Sequence, residues 1–163
     1  MFAIAVTLLA VRAARAVVFD IGGVLEVPVD THLDGRWEQR LGLEPGAFLK
    51  RLRHFQRLRP RYRTGILSNA AAGGRRQEQM RYGFDDLADL TVYSYEVGIE
   101  KPDRRIYLLT CERLGVHPGE VVFLDDLEAN VAAARGVGMR AVLFQTTAQA
   151  ITDVEACLAH STR

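Results

Sequence analysis

The 163 residues carry 48% hydrophobic and 25% charged side chains, a balance that suits one domain with a sizeable core and excludes an intrinsically disordered chain. A formal net charge of +1 gives no global signature of a nucleic-acid or membrane-surface binder. The two cysteines, Cys111 and Cys157, lack metal-ligand spacing and read as reduced thiols of a cytoplasmic protein.

The first stretch, MFAIAVTLLAVRAARA, has the apolar character of a signal-peptide core. It lacks a basic segment before that core, and cleavage near Ala16 would open the chain inside its first strand. It is also too short to cross a bilayer, so residues 1–14 read as an N-terminal extension. Ala16-Val17-Val18-Phe19 has the length and β-branched content of a strand buried on both faces. The strand ends on Asp20, followed by Ile21, Gly22 and Gly23. In open α/β sheets the carboxyl ends of strands form the ligand crevice, and two glycines let the backbone turn sharply there.

Residues 27–61 read as a helical insert. A loop leads to a short helix over 34–43, with Trp37 and Leu41 on one face. A second helix is opened by Pro45-Gly46 and closed by Pro60, with Phe48, Leu52 and Phe55 as its apolar stripe. The basic run KRLRHFQRLRPRYR, residues 50–63, reads as the solvated face of that helix, because no aromatic stacking platform or nucleic-acid motif accompanies it.

Strand character returns over 62–67 and stops at Ser68-Asn69, and a helix follows over 74–81. Residues 90–98, LTVYSYEVG, read as a third strand running into Gly98-Ile99-Glu100-Lys101-Pro102. Asp103 caps a helix that reaches Leu114 and ends at Gly115. EVVFLDD is a fourth strand ending on Asp125 and Asp126. A helix with Asn130, Ala133 and Ala134 leads to Gly138, RAVLF is a fifth strand, and residues 147–160 form a closing helix. The alternation predicts an α/β domain, a parallel sheet flanked by helices with right-handed crossovers. Residues 15–26 and 62–163 form its core, and residues 27–61 form the insert.

Four strand ends thus carry polar groups on one edge of the sheet: Asp20, Ser68 with Asn69, Lys101, and Asp125 with Asp126. An aspartate nucleophile, a hydroxyl and amide for phosphoryl oxygens, a lysine and a carboxylate pair for a divalent cation make a phosphoryl-transfer site.

The motifs FDIGGVL, ILSNA, EKPDRRIY and VVFLDDLEANVAAARGVGM together resemble the haloacid dehalogenase-like superfamily, over nearly all the chain from about residue 15. The last two are similar to the branch with the phosphatase domain of soluble epoxide hydrolase and sugar-phosphate phosphatases. The resemblance implies a Rossmann-like fold, with a reduced helical cap after the first strand. It implies Asp20 as nucleophile forming an aspartyl-phosphate, and Mg²⁺ as cofactor held by Asp20, the Gly22 carbonyl and Asp126. Ser68, Asn69 and Lys101 would bind the transferring phosphoryl group. Asp125 would partner Lys101, with Asn130 completing the metal's surroundings. The expected substrate is a small phosphomonoester, taken by a monomer or homodimer without nucleic-acid or membrane partners. A dehalogenase would also use Asp20 but needs no cation, so the Asp125-Asp126 pair disfavours it.

Two departures bear on activity. Phosphatases of the family usually place an acidic group at the position of Gly22 to protonate the leaving group. Glycine cannot, which points to slower turnover, a replacement acid among Glu26, Asp30 and His32, or a binding protein without turnover. The insert is also shorter than a full helical cap, which implies a more open site.

Overall fold

Five short strands, all parallel, form the sheet in the computed structural model of the chain, which describes residues 12–25 and 54–159. The helix expected over 34–43, most of the second insert helix, the candidate acids Glu26, Asp30 and His32, and all but the last residues of the N-terminal extension lie outside the described residues.

β1 (Ala16–Phe19) is the central strand, in the order β3-β2-β1-β4-β5. β2 is Arg63–Ser68, β3 Leu90–Tyr93, β4 Val121–Asp125 and β5 Arg140–Leu143. α1 (Gly74–Tyr82) and α2 (Phe84–Leu87) join β2 to β3. α3 (Ser94–Val97), α4 (Arg104–Leu114) and a 3₁₀ turn at Pro118–Glu120 join β3 to β4. α5 (Glu128–Gly136) joins β4 to β5, and α6 is Thr147–Ala159.

The side-chain alternation of β1 explains why it is apolar throughout. Val17 and Phe19 enter one core layer with Ile66, Leu124 and Val154, while Ala16 and Val18 enter the other with Ile106, Tyr107, Phe123 and Val131. With helices on both faces, every residue of the strand is buried. Residues 54–58 form a helical segment whose Phe55 ring meets Phe19 edge-on, with centroids 5.0 Å apart. Phe55 and Leu58 are buried in the first layer, so this end of the predicted insert packs as part of the core.

The third strand is shorter than its sequence suggests. It stops at Tyr93, and Ser94–Val97 form one helical turn closed by a hydrogen bond from the Gly98 N–H to the Ser94 carbonyl, 2.9 Å. Tyr95 and Val97 alternate as strand residues would. Gly98, at φ 66°, takes the left-handed conformation that ends a helix, and it redirects the chain towards Lys101. α2 and the 3₁₀ turn are too brief to leave a periodic signal in the sequence.

Successive connections run outward from β1 on one side through β2 and β3, then return to β4 on the other. The crevice expected at this topological switch lies above the tips of β1 and β4. Among the described residues no helix is long and apolar enough to cross a membrane.

Candidate active site

Asp20 follows the last residue of β1, and its backbone N–H donates to the Leu124 carbonyl at 2.9 Å, so the strand's pairing with β4 fixes its position. Phe19 pairs with Leu124, which sets Asp20 beside Asp125 on the same pleat. Both carboxylates therefore point to the layer covered by α4 and α5. Asp20 is 7% exposed and Asp125 wholly buried.

Lys101 reaches into this space from the loop before α4. Its Nζ donates to Asp20 Oδ1 at 2.6 Å, to Asp125 Oδ2 at 2.7 Å and to the Leu67 carbonyl at 3.0 Å. All three ammonium donors are thereby used, between two carboxylates and the end of β2. Asn69 holds the lysine's backbone: its Oδ1 accepts from the Lys101 N–H at 2.9 Å, and its Nδ2 donates to the Lys101 carbonyl at 2.8 Å. Ser68 closes β2 and is 5% exposed.

Asp125 has its hydrogen-bonding capacity taken up from within the protein. Asn130 Nδ2 donates to both its oxygens, at 3.0 and 3.1 Å, and the Leu127 N–H donates to Oδ1 at 2.9 Å. Asn130 is itself fixed on α5, where its carbonyl accepts from the Tyr107 hydroxyl at 3.0 Å. Asp126 is exposed, yet oxygens of Asp20, Asp125 and Asp126 lie within 4.8 Å of one another.

Electrostatically the three carboxylates crowd each other. Burial pushes the Asp20 carboxyl up to about 6, against the pull of Lys101 and with a further push from Asp125. Asp126 is raised by partial burial and then by the charge of Asp125. A divalent cation would relieve both. With Asp125 occupied by Lys101, Asn130 and the Leu127 amide, Asp20 and Asp126 are the carboxylates left to meet one, and hard oxygen donors suit Mg²⁺.

The glycine pair shapes this space. At Gly23, with φ 69°, a Cβ would lie 2.1 Å from Asp126 Oδ2, so the carboxylate occupies the room a side chain would need. Gly23→Ala is expected to displace Asp126 and strain the turn, weakening any Mg²⁺ binding at these carboxylates by about tenfold or more; a calorimetric titration with Mg²⁺ reads it. At Gly22 the nearest atom to a Cβ is Asp20 Oδ2 at 4.0 Å, which is ordinary contact.

A family profile described as haloacid dehalogenase-like hydrolase matches residues 45–138. The chain belongs to the haloacid dehalogenase-like hydrolases. It is 40% identical over 77 residues to bifunctional epoxide hydrolase 2 of Rattus norvegicus, a match covering 47% of this chain and 14% of that protein. It is 43% identical over 65 residues to ribulose-1,5-bisphosphate 5-phosphatase of Halopiger xanaduensis, covering 39% of this chain and 27% of that protein. The chain thus spans well under half the length of these relatives. A haloacid dehalogenase-family enzyme of Bacteroides thetaiotaomicron, in complex with magnesium and inorganic phosphate, shares the fold with a TM-score of 0.63 at 19% identity, over 82% of this chain and 96% of that one.

The structure brings Asp20, Lys101, Asp125 and Asp126 together, with Asn69 and Asn130 holding members of the group in place. Sequence reading missed the Leu67 carbonyl and the Leu127 amide, backbone groups whose type no sequence motif records. It also left the match between Gly23 and Asp126 unseen, since these residues are 103 positions apart.

Proposed function

We propose that the chain is a Mg²⁺-dependent phosphomonoester hydrolase that works through an aspartyl-phosphate on Asp20. The observation that carries this reading is the Lys101 ammonium, 2.6 Å from Asp20 and 2.7 Å from Asp125, beside the Asp126 carboxylate. An Asp20 oxygen attacks phosphorus, forming one P–O bond as the bond to the leaving alkoxide breaks, and solvent water protonates the alkoxide. Water then attacks the same phosphorus, releasing inorganic phosphate and restoring the carboxylate.

Lys101 holds Asp20 aimed and ionised, and as the attacking oxygen becomes the bridging oxygen of the acyl phosphate, the lysine N–H turns to the phosphoryl oxygens that now bear the charge. Asp125 and Asn130 hold the lysine in register. Asn69 acts mainly through Lys101, with one amide N–H left for a phosphoryl oxygen alongside the Ser68 hydroxyl. Asp20, Asp126 and the Gly22 carbonyl would hold Mg²⁺, which when bound supplies positive charge to the phosphoryl oxygens. Phosphatases among the relatives, one named for a sugar bisphosphate, support a small phosphorylated metabolite as substrate.

Phosphate release from p-nitrophenyl phosphate tests the reading, because its leaving group needs no proton donor. Release that requires Mg²⁺ and stops with EDTA is expected; halide release from a 2-haloacid in EDTA, with no phosphate release, overturns it. The space at Gly22 adds a second expectation. Gly22→Asp introduces a carboxyl beside the leaving group, and should accelerate hydrolysis of alkyl phosphates by about 10²-fold or more while changing p-nitrophenyl phosphate turnover little.

A further inference from the structure

The amino-terminal edge of the sheet, opposite the carboxylates, holds a cavity of about 610 Å³ that no step of the proposed hydrolysis uses. Arg15 stands before β1, Arg59, Arg61 and Arg63 lead into β2, and Arg113 lies near the end of α4; all five line it, with Asp89 as the one carboxylate among the lining residues. It is a groove open to solvent rather than an enclosed pocket, with a volume in the range of small-molecule sites, roughly 300–1,000 Å³.

Backbone carbonyls help to position two of these arginines, and of the two Arg59 is also paired with a carboxylate. Arg59 Nη1 donates to the Asp86 carbonyl at 2.8 Å, and Arg63 Nη1 donates to the Leu114 carbonyl. Asp89 is already engaged: Oδ1 accepts from Arg59 Nε at 3.2 Å, and Oδ2 from the Thr64 N–H and hydroxyl at 2.8 and 3.0 Å. Arg15 is 3.6 Å from Glu120, which Arg12 shares at 3.7 Å. Among the described residues Arg61 and Arg113 have no ion-pair partner. Five arginines therefore meet two carboxylates, Asp89 in the lining and Glu120 beside Arg15, which leaves the positive charge in excess, and their planar forks match phosphate oxygens in pairs.

We propose that this cavity is a second, non-catalytic anion site that takes a small ligand carrying two or more phosphate groups. It lies a strand's length from Asp20, roughly 13 Å or more at about 3.3 Å per residue, so its occupant does not reach the hydrolytic group. The basic run that reads as a solvated helix face in sequence contributes Arg59, Arg61 and Arg63 to it.

Calorimetric titration of the full chain with inorganic pyrophosphate in excess EDTA tests the proposal, since without metal the carboxylate edge repels anions. Saturable binding of one pyrophosphate is expected. It should weaken by about tenfold or more in Arg61→Ser/Arg113→Ser, two exposed positions whose change leaves the melting temperature near wild type, and persist in Asp20→Asn. Absence of saturable binding overturns the proposal. So does binding that the double arginine variant leaves unchanged, or that Asp20→Asn alters. Binding of single-stranded nucleic acid through the same arginines, with pyrophosphate silent, overturns it in favour of a polymer surface.

Discussion

Asp20→Asn is expected to abolish phosphate release, by about 10⁴-fold or more, while making the metal-free protein more stable. The two effects share one cause. Asp20 is buried beside Asp125, and burial holds its carboxyl at about 6 against an ordinary 3.8. The folded chain therefore binds this proton more tightly than the unfolded chain does. The resulting stability is present below pH 3.8 and lost as pH rises through about 6. At neutral pH the ionised carboxylate is a strained element of the metal-free fold, and a neutral amide of the same shape relieves about 1–3 kcal/mol. Thermal melts in EDTA should show the variant above wild type at neutral pH, with the gap narrowing on acidification towards about pH 4. Mg²⁺ should then raise the wild type more than the variant, because it binds the ionised folded form. A variant melting below wild type in EDTA at neutral pH would contradict this electrostatic picture.

Lys101→Met should have the opposite effect on stability and the same effect on turnover. The ammonium is buried, and it satisfies Asp20, Asp125 and the Leu67 carbonyl at once. Removing it leaves two carboxylates facing each other without a cation. Breaking a buried pair in this way costs about 3–5 kcal/mol, and here both partners lose the same counter-charge. Urea unfolding in EDTA should show the midpoint fall sharply with little change in slope. Mg²⁺ should recover part of the stability but not the activity, since the phosphoryl oxygens still lack the lysine. Lys101→Arg should not rescue turnover: a planar fork cannot reproduce three donors that converge on acceptors 2.6–3.0 Å away. Wild-type urea stability in Lys101→Met would show that the two carboxylates do not depend on this ammonium.

Much of the site was legible because each polar group terminates a strand that burial forces to be apolar. A β-branched run ending in Asp20, another ending in Asp125 and a third ending in Ser68 mark the same edge of a parallel sheet. Their side chains therefore converge whatever the intervening helices do. What escaped sequence reading depends on contacts between distant residues. Asn69 reads as a phosphoryl ligand from its place at a strand tip, yet its amide closes on the Lys101 peptide 32 residues away. The end of β3 was hidden for a local reason. Tyr95 and Val97 favour extended backbone on composition, and only the left-handed turn at Gly98 shows that the segment coils into α3. The basic run after the insert helix gives no hint of Arg15 and Arg113, because the pairing of β1 with β2 and the contact of Arg63 with the end of α4, not sequence proximity, bring these side chains to one edge.

A covalent phosphoryl-enzyme on Asp20 can be trapped chemically. Enzyme turning over p-nitrophenyl phosphate with Mg²⁺ is quenched in acid and reduced with borohydride, which converts an acyl phosphate to an alcohol, and the peptide carrying residues 16–25 is sequenced by mass spectrometry. Homoserine is expected in place of Asp20, dependent on both substrate and Mg²⁺. Phosphate release with Asp20 unmodified under the same quench would contradict it.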